Sequence, residues 1–176
     1  DPDPDQHLTD RFLSAPLAGP KDLWLYIDGE FQFFSGTEPT YHEWFAHVPI
    51  QAMDNPLRKV LVLGAGDGLL VRELLAYEDI ERVVHVEYDE QVLRLARTHA
   101  GLSRLNAPAF RDPRHELIQA DAFSWVRHTS ETFDAVFIDM PYPRDHAVSL
   151  LYSREFYAMV RRLLTPDGFV ALDAPD

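Results

Sequence analysis

Short apolar runs and helix-like segments alternate along the chain from Lys59 onwards. Each apolar run is nearly continuous, which is typical of strands that are buried on both faces. These runs predict strands at 60–64, 82–87, 115–119, 134–139 and 169–173. Between them, apolar residues with helical spacing predict helices over 69–77 and 150–164, and Asp89 is placed to cap a third helix. Repeated strand–helix units favour a parallel sheet with helices on both faces.

The segment before Lys59 has a different pattern. Alternating residues on either side of Asp28-Gly29 predict an antiparallel hairpin with a type I′ turn. Thr40 and Glu43 have the spacing of a capping box, which predicts that a short helix opens there. Pro49 is expected to kink or end that helix. Residues 1–22 carry prolines among acidic and small residues, and we expect a linker or a disordered arm.

Composition narrows the class of protein. The 176 residues suit one domain, and 46% of them are hydrophobic, which is ordinary for a globular protein. Lys and Arg number 16 against 29 Asp and Glu, so the net charge of −13 argues against a nucleic-acid partner. The absence of cysteine excludes disulfides, thiolate zinc sites and a cysteine nucleophile. No apolar run approaches the roughly 18–20 residues that span a bilayer, so we expect no membrane contact from this segment.

Small and acidic residues follow the predicted strands at the end where open parallel sheets bind ligands. Gly64-Ala65-Gly66-Asp67-Gly68 follows the first strand of the sheet, and its glycines let a ligand approach the backbone closely. The next strand ends in an acid about 20 residues further on, at the place where a carboxylate accepts both hydroxyls of a ribose. The sequence therefore predicts that four carboxylates converge on one edge: Asp67, Glu87, Asp121 and Asp139.

The spacing of the Gly-rich loop distinguishes between classes of nucleotide. A dinucleotide fingerprint requires a third glycine at position 69, which is Leu69, and Asp67 would repel a pyrophosphate. No Gly-Lys-Ser/Thr segment exists, so a P-loop is excluded. An acidic loop suits a cationic nucleoside, such as the sulfonium of S-adenosylmethionine or a derivative. The alternative is a packing turn with the acids as helix caps; each acid alone fits that interpretation, but four at successive strand ends fit it poorly.

Seven segments between about Leu23 and Asp173 are typical of one enzyme family: LYIDGEFQF, YHEWFAHVP, VLVLGAGDG, VVHVEYD, ADAF, FIDMPYP and LYSREFY. With these segments the sequence resembles the spermidine synthase (polyamine aminopropyltransferase) family. The order of hairpin and nucleotide fold, with DGxxQ paired with YHE, is specific to that family. IDMPYP and LYSREFY are most similar to the soluble domains of membrane-attached members. The chain begins at Asp1 rather than Met, so we expect a cytoplasmic segment cut from a longer protein and leave open whether that parent chain is membrane-anchored.

The resemblance implies that an aminopropyl group moves from decarboxylated S-adenosylmethionine to an amine such as putrescine, leaving methylthioadenosine. No tightly bound cofactor and no metal are implied, since the leaving thioether is neutral. Carried over position by position, the donor-binding residues are Gln32 and Glu87 for the ribose, Gly64 and Gly66 in the loop, Asp121 and the Ala122 amide for adenine, and Asp67 for the aminopropyl ammonium.

On the acceptor side, the resemblance implies that Tyr41 and His42 line the channel to the amine and that Asp139 is the catalytic acid. An amine must lose a proton before it attacks carbon, and Asp139 is flanked by apolar residues at a sheet edge, which suits it to take that proton. The family has a second acid three residues later, where this chain has Tyr142 among the substrate-binding positions. Use of a diamine as the acceptor therefore stays open.

We expect a Rossmann-like, class I methyltransferase-like α/β domain with a doubly wound parallel sheet at 59–176, preceded by a hairpin and connecting helix at 23–58. The leading hypothesis is an aminopropyltransferase of polyamine biosynthesis whose partner is a small polyamine. One alternative is an S-adenosylmethionine-dependent methyltransferase of the same fold, and another is a non-catalytic ligand-binding homologue. Homodimer formation is left open.

Overall fold

The computed structural model describes residues 22–107, 109–143 and 146–173, so the predicted arm at 1–22 lies almost entirely outside the described residues. Its elements, in chain order, are β1 (Trp24–Ile27), β2 (Glu30–Phe34), α1 (Glu38–Gln51), β3 (Lys59–Gly64), α2 (Leu69–Leu75), β4 (Arg82–Glu87), α3 (Glu90–Thr98), α4 (Ala100–Leu105), a 3₁₀ turn (Ala109–Arg111), β5 (His115–Gln119), α5 (Ala122–His128), β6 (Phe133–Asp139), α6 (His146–Leu150), α7 (Arg154–Arg162) and β7 (Leu164–Leu172).

Five strands form one parallel sheet in the order β5-β4-β3-β6-β7. The order reverses beside β3, as in doubly wound folds, where ligands bind beyond the carboxyl ends of the strands. Helices cover both faces: Val60 and Val62 of β3 belong to one core cluster, while Leu61 and Leu63 belong to another. The predicted Rossmann-like fold and its five strands are confirmed.

The hairpin is also confirmed. Asp28 and Gly29 both have positive φ, at 52° and 83°, as a type I′ turn requires. A bulge shifts the register where Leu25 pairs with Phe33 but Tyr26 pairs with Phe31. Apolar side chains of the hairpin join a third core cluster with residues of α2, α3 and α4, which places the hairpin over the helices that follow β3 and β4.

The predicted start of the first helix is wrong. Helix α1 begins at Glu38, with Thr37 as its N-cap residue, so Thr40 and Glu43 lie inside the helix and form no capping box. Proline is favourable in the first turn, where its missing N–H costs nothing, and a proline there lets the helix begin earlier. Pro49 lies in the last turn and does not end the helix, which continues to Gln51.

The predicted helix at 150–164 is shorter in the structure, where α7 covers Arg154–Arg162 and Leu150 is the last residue of a separate short helix, α6. Ser153 separates them because its hydroxyl accepts a hydrogen bond from the Phe156 amide at 3.1 Å and caps α7. Strand β7 begins at Leu164, earlier than predicted, and pairing with β6 is irregular before it resumes at Phe169. Across the described part of the chain, no helix is long and apolar enough to cross a bilayer.

Candidate functional site

Three strand ends meet at one level at the centre of the sheet. Gly64 of β3 pairs with Asp139 of β6, and Leu63 pairs with Val86 of β4, so Glu87 lies beside Gly64 on the other side. Gly64 has φ +83°, and a Cβ built there would lie 1.9 Å from the carbonyl oxygen of Asp139. Only glycine therefore allows the loop after β3 to cross so close to β6.

The loop after β3, which carries Asp67, passes against both Asp139 and Glu87. Oδ1 of Asp67 accepts a hydrogen bond from the Leu69 amide at 2.9 Å, and its carbonyl accepts one from Asn106 at 2.6 Å. A Cβ on Gly66 would lie 2.7 Å from Oε2 of Glu87, so the loop passes directly against that carboxylate. The negative charge of Asp67 contributes to the raised pKa of both Glu87 and Asp139, as expected for acids at neighbouring strand ends.

The environment of Glu87 penalises its negative charge. Burial raises the pKa of Glu87 to about 7, and the nearby charges of Asp89 and Asp67 add to the effect. A hydrogen bond from the Asp89 amide to Oε1, at 2.7 Å, opposes the shift without cancelling it. A cationic or hydroxyl-bearing ligand beside Glu87 would relieve this cost.

Asp139 is in a similar state. Burial raises the pKa of Asp139 to about 6, with the charge of Asp67 as the next contribution. The positive charge of His42 and a hydrogen bond from Tyr41 favour the ionised form but do not restore the ordinary value. A carboxyl with a pKa near neutrality can both accept and release a proton, which suits general acid–base chemistry.

Helix α1 presents two aromatic residues to this edge. The hydroxyl of Tyr41 lies 3.2 Å from Oδ1 of Asp139 and 3.2 Å from Oδ2 of Asp173. Burial of that hydroxyl and the two negative charges raise the pKa of Tyr41, so it stays protonated and donates. The ring of His42 packs edge-on against Tyr41, with centroids 5.0 Å apart, and lies 2% exposed.

His42 forms a hydrogen bond with a buried acid of the same helix. Nδ1 of His42 lies 2.8 Å from Oε2 of Glu38, and Arg72 of α2 donates to both oxygens of Glu38, at 2.9 and 3.2 Å. Burial alone would lower the pKa of His42, but the bond to Glu38 and the charges of Asp67 and Asp139 outweigh it and raise the pKa. The protonated ring therefore adds a positive charge beside the acids.

Four other predicted site residues make no hydrogen bond to Asp67, Glu87 or Asp139 in the described part of the chain. Gln32 is exposed in the hairpin bulge, and its amide donates to the carbonyl of Glu30 at 3.1 Å. Asp121 is exposed and caps α5 by accepting from the Ser124 amide at 2.8 Å, and Ala122 is the buried first residue of that helix. Tyr142 is 52% exposed in the loop after β6. Their ligand roles stay predictions.

Two features were not anticipated from the sequence. Asp173 follows β7 directly, and the rule that selected the other strand-end acids also selects it, once β7 is included as a fifth strand. Arg72 and its pair with Glu38 carry no local signal, because the two residues are 34 positions apart. Within 22–107, 109–143 and 146–173, no group of three His, Asp or Glu side chains has the arrangement of a metal site.

Comparison with known proteins gives a consistent result. Residues 38–175 match the family model described as "Spermine/spermidine synthase domain". The chain is 42% identical over 161 residues to polyamine aminopropyltransferase 1 of Streptomyces coelicolor, covering 92% of this chain and 30% of that protein. It is also 42% identical over 156 residues to polyamine aminopropyltransferase of Mycobacterium tuberculosis, covering 87% of this chain and 29% of that protein. The chain thus spans less than a third of the length of these curated relatives.

Solved structures agree with the fold. A crystal structure of spermidine synthase from Thermotoga maritima superposes with a TM-score of 0.78 at 32% identity, covering 89% of this chain and 51% of that chain. A spermidine synthase in complex with the transition state analogue AdoDATO superposes with a TM-score of 0.77 at 28% identity, covering 91% of this chain and 57% of that one.

Proposed function

The chain belongs to the spermine/spermidine synthase family, and from this premise we propose that it transfers an aminopropyl group from decarboxylated S-adenosylmethionine to an amine such as putrescine. The observation that carries the proposal is the group of Asp67, Glu87 and Asp139 at one sheet edge. Two of the three have a raised pKa, so their negative forms are penalised by burial and a cation beside them would be favourable. A cationic sulfonium nucleoside and an amine are ligands of the required sign.

The donor would lie along the Gly-rich loop. Glu87 would accept the ribose hydroxyls. Gly66 passes directly against its carboxylate, where a Cβ would lie 2.7 Å from Oε2. Asp67, whose charge acts on both neighbouring acids, would bind the aminopropyl ammonium. Asp121 and the amide of Ala122, at the end of β5, would hold adenine, and Gln32 would reach the ribose from the hairpin. S-Adenosylmethionine itself carries a carboxylate that Asp67 would repel.

The acceptor would enter beside Tyr41 and His42. An alkyl amine has a pKa of about 10, so holding it neutral at pH 7 costs about 4 kcal/mol. Asp139 accepts the proton from the nitrogen, whose electron pair then forms a bond to the propyl carbon. The bond from that carbon to sulfur breaks, and its electrons stay on sulfur as the neutral thioether of methylthioadenosine. In-line alignment of nitrogen, carbon and sulfur supplies a further part of the acceleration.

Mass spectrometry of the reaction products tests this function. The protein is incubated with decarboxylated S-adenosylmethionine and a mixture of mono-, di- and triamines. We expect an aminopropylated amine and an equal amount of methylthioadenosine. If no amine gains an aminopropyl group, the proposal is wrong; methylated products from the carboxylated donor would indicate a methyltransferase instead.

The role of Asp139 is tested by Asp139→Asn, which should slow transfer by roughly 100- to 10,000-fold. The wild-type rate should rise with pH through about 6, as Asp139 loses its proton, and the variant should lose this acid limb. Asp79→Asn removes the same charge from an exposed turn and should leave the rate unchanged. The proposal also includes a cytoplasmic location and a homodimer, which cell fractionation and sedimentation would test.

A further inference from the structure

The hydroxyl of Tyr41 lies between two carboxylates but carries one proton. Its distance to Oδ1 of Asp139 and to Oδ2 of Asp173 is 3.2 Å in both cases. A phenol donates one hydrogen bond at a time, so one of the two contacts places oxygen lone pairs against each other. When both carboxyl groups are ionised, the single proton of Tyr41 can satisfy only one of them. The other carboxylate oxygen would gain from a positively charged hydrogen-bond donor.

The position of Asp173 is set by the sheet. Leu172 pairs with Ile138, and the amide of Asp173 donates to the Ile138 carbonyl at 3.2 Å, so Asp173 lies beside Asp139 at the same level. Its carboxylate is exposed and makes no ion pair with a lysine or arginine of the described residues. The carboxylate of Asp173 is therefore accessible to a ligand that approaches Asp139.

We propose that Asp173 is a specificity-determining residue of the acceptor side, holding a second, protonated nitrogen of a diamine while Asp139 serves the nitrogen that reacts. This inference deepens the proposed function and rests on it. The two carboxylate oxygens are no more than about 6.4 Å apart, because each is 3.2 Å from the same hydroxyl. The two nitrogens of a short α,ω-diamine are separated by a comparable distance.

The same three oxygens explain how a diamine would be preferred over a monoamine. An ammonium on Asp173 supplies the missing donors, and the Tyr41 proton is then free to bond Asp139. A monoamine makes no contact with Asp173, so the carboxylate stays hydrated and contributes nothing to the free energy of binding. Tyr142, on the neighbouring loop, is 52% exposed and offers no charge for the second nitrogen.

The test compares two acceptors of equal carbon chain length, a diamine and a monoamine, in the wild type and in Asp173→Asn. A hydrogen bond to a charged group is worth roughly tenfold to a hundredfold in affinity, so kcat/KM for the diamine should fall by that factor. For the monoamine, kcat/KM should stay within about twofold, since Asp173 makes no contact with it. Asp167→Asn removes the same charge from an exposed site earlier in β7 and should change neither value.

A binding measurement separates failure of this inference from failure of the proposed function. Calorimetry measures diamine binding to the protein saturated with methylthioadenosine, which needs no turnover. Weaker diamine binding in Asp173→Asn supports the inference even if no amine is converted, a result that would sink only the proposed reaction. Equal losses for both amines, an unchanged diamine value, or no diamine binding to the wild type would each overturn the role of Asp173.

Discussion

The two ends of the parallel sheet treat their charges in opposite ways. At the amino end, acids and bases are matched: Arg58 pairs with Glu81, and Lys59 lies 2.5 Å from Glu131. Arg82 lies in the same region and forms two ion pairs, one with Glu131 at 2.8 Å and one with Glu116 at 2.5 Å. At the carboxyl end, Asp67, Glu87 and Asp139 have no lysine or arginine partner among the residues described.

The pKa values of the acids follow this difference. Hydrogen bonds from Lys59 and Arg82 lower the pKa of Glu131, whereas burial raises the pKa of Glu87 and Asp139. Matched pairs at the amino end contribute to the fold alone. Unmatched, partly buried acids reduce stability, and such strain is typical of a site that is completed by a ligand.

Glu38 is the exception at the carboxyl end, because it is 2% exposed and fully paired with Arg72 and His42. We expect Glu38→Gln to lower the free energy of unfolding by about 2–4 kcal/mol at pH 7, since it leaves Arg72 without its strongest partner. The pKa of Glu38 is lowered, so the wild type loses this stabilisation as the pH falls through that pKa. Urea titration at several pH values measures the effect.

Glu43→Gln is the matched control for this prediction. Glu43 lies in the same helix but is exposed, so the substitution should change the free energy of unfolding by less than about 0.5 kcal/mol. If both variants lose the same stability, the buried pair has no special role and the contrast between the two acids of α1 is wrong.

Substitution of Glu87 is expected to change the free energy of unfolding in the opposite direction. The native pKa of about 7 exceeds the ordinary value of 4.5, so between these values the folded protein binds more protons than the unfolded chain. Stability therefore falls as the pH rises through this window. We expect Glu87→Gln to raise the free energy of unfolding by about 1–3 kcal/mol at pH 8 and to change it little at pH 4. Thermal or urea unfolding at the two pH values measures this.

Glu116 is the corresponding control at the paired end of the sheet. Its carboxylate is exposed and bonded to Arg82 at 2.8 Å, so Glu116→Gln should give a small loss and no gain at pH 8. Stabilisation by both substitutions would mean that net negative charge, rather than the burial of Glu87, limits the stability of the protein.

The sequence predicted only part of the contrast between the two ends of the sheet. Asp67, Glu87 and Asp139 were predicted together because a parallel sheet aligns its strand ends, and β3, β4 and β6 are neighbours. The same rule selected Asp121, which follows the edge strand β5 and caps α5, and its place in the site stays a prediction. Strand order determines which strand ends meet, and one sequence does not contain it.

For other parts of the fold, success of the prediction depended on how close in sequence the interacting residues are. The cap of α3 was predicted because Asp89 acts on amides two and three residues away. The break at Ser153 was missed, since the apolar spacing before and after it is compatible with one helix. The triad of Glu38, His42 and Arg72 was also missed, because its partners come together only when α1 packs on α2.

The smallest expected effect is at the paired end. Arg58 and Glu81 are 65% and 62% exposed, so their ion pair is formed in water and gains little. Arg58→Met keeps much of the aliphatic stem and the backbone amide that donates to Asp134, and should cost less than about 1 kcal/mol at low salt. In 1 M salt the cost should vanish, because the Debye length is then about 3 Å. A larger or salt-independent loss in urea titrations would show that this exposed pair contributes more than an ion pair formed in water, and the expected small effect would be wrong.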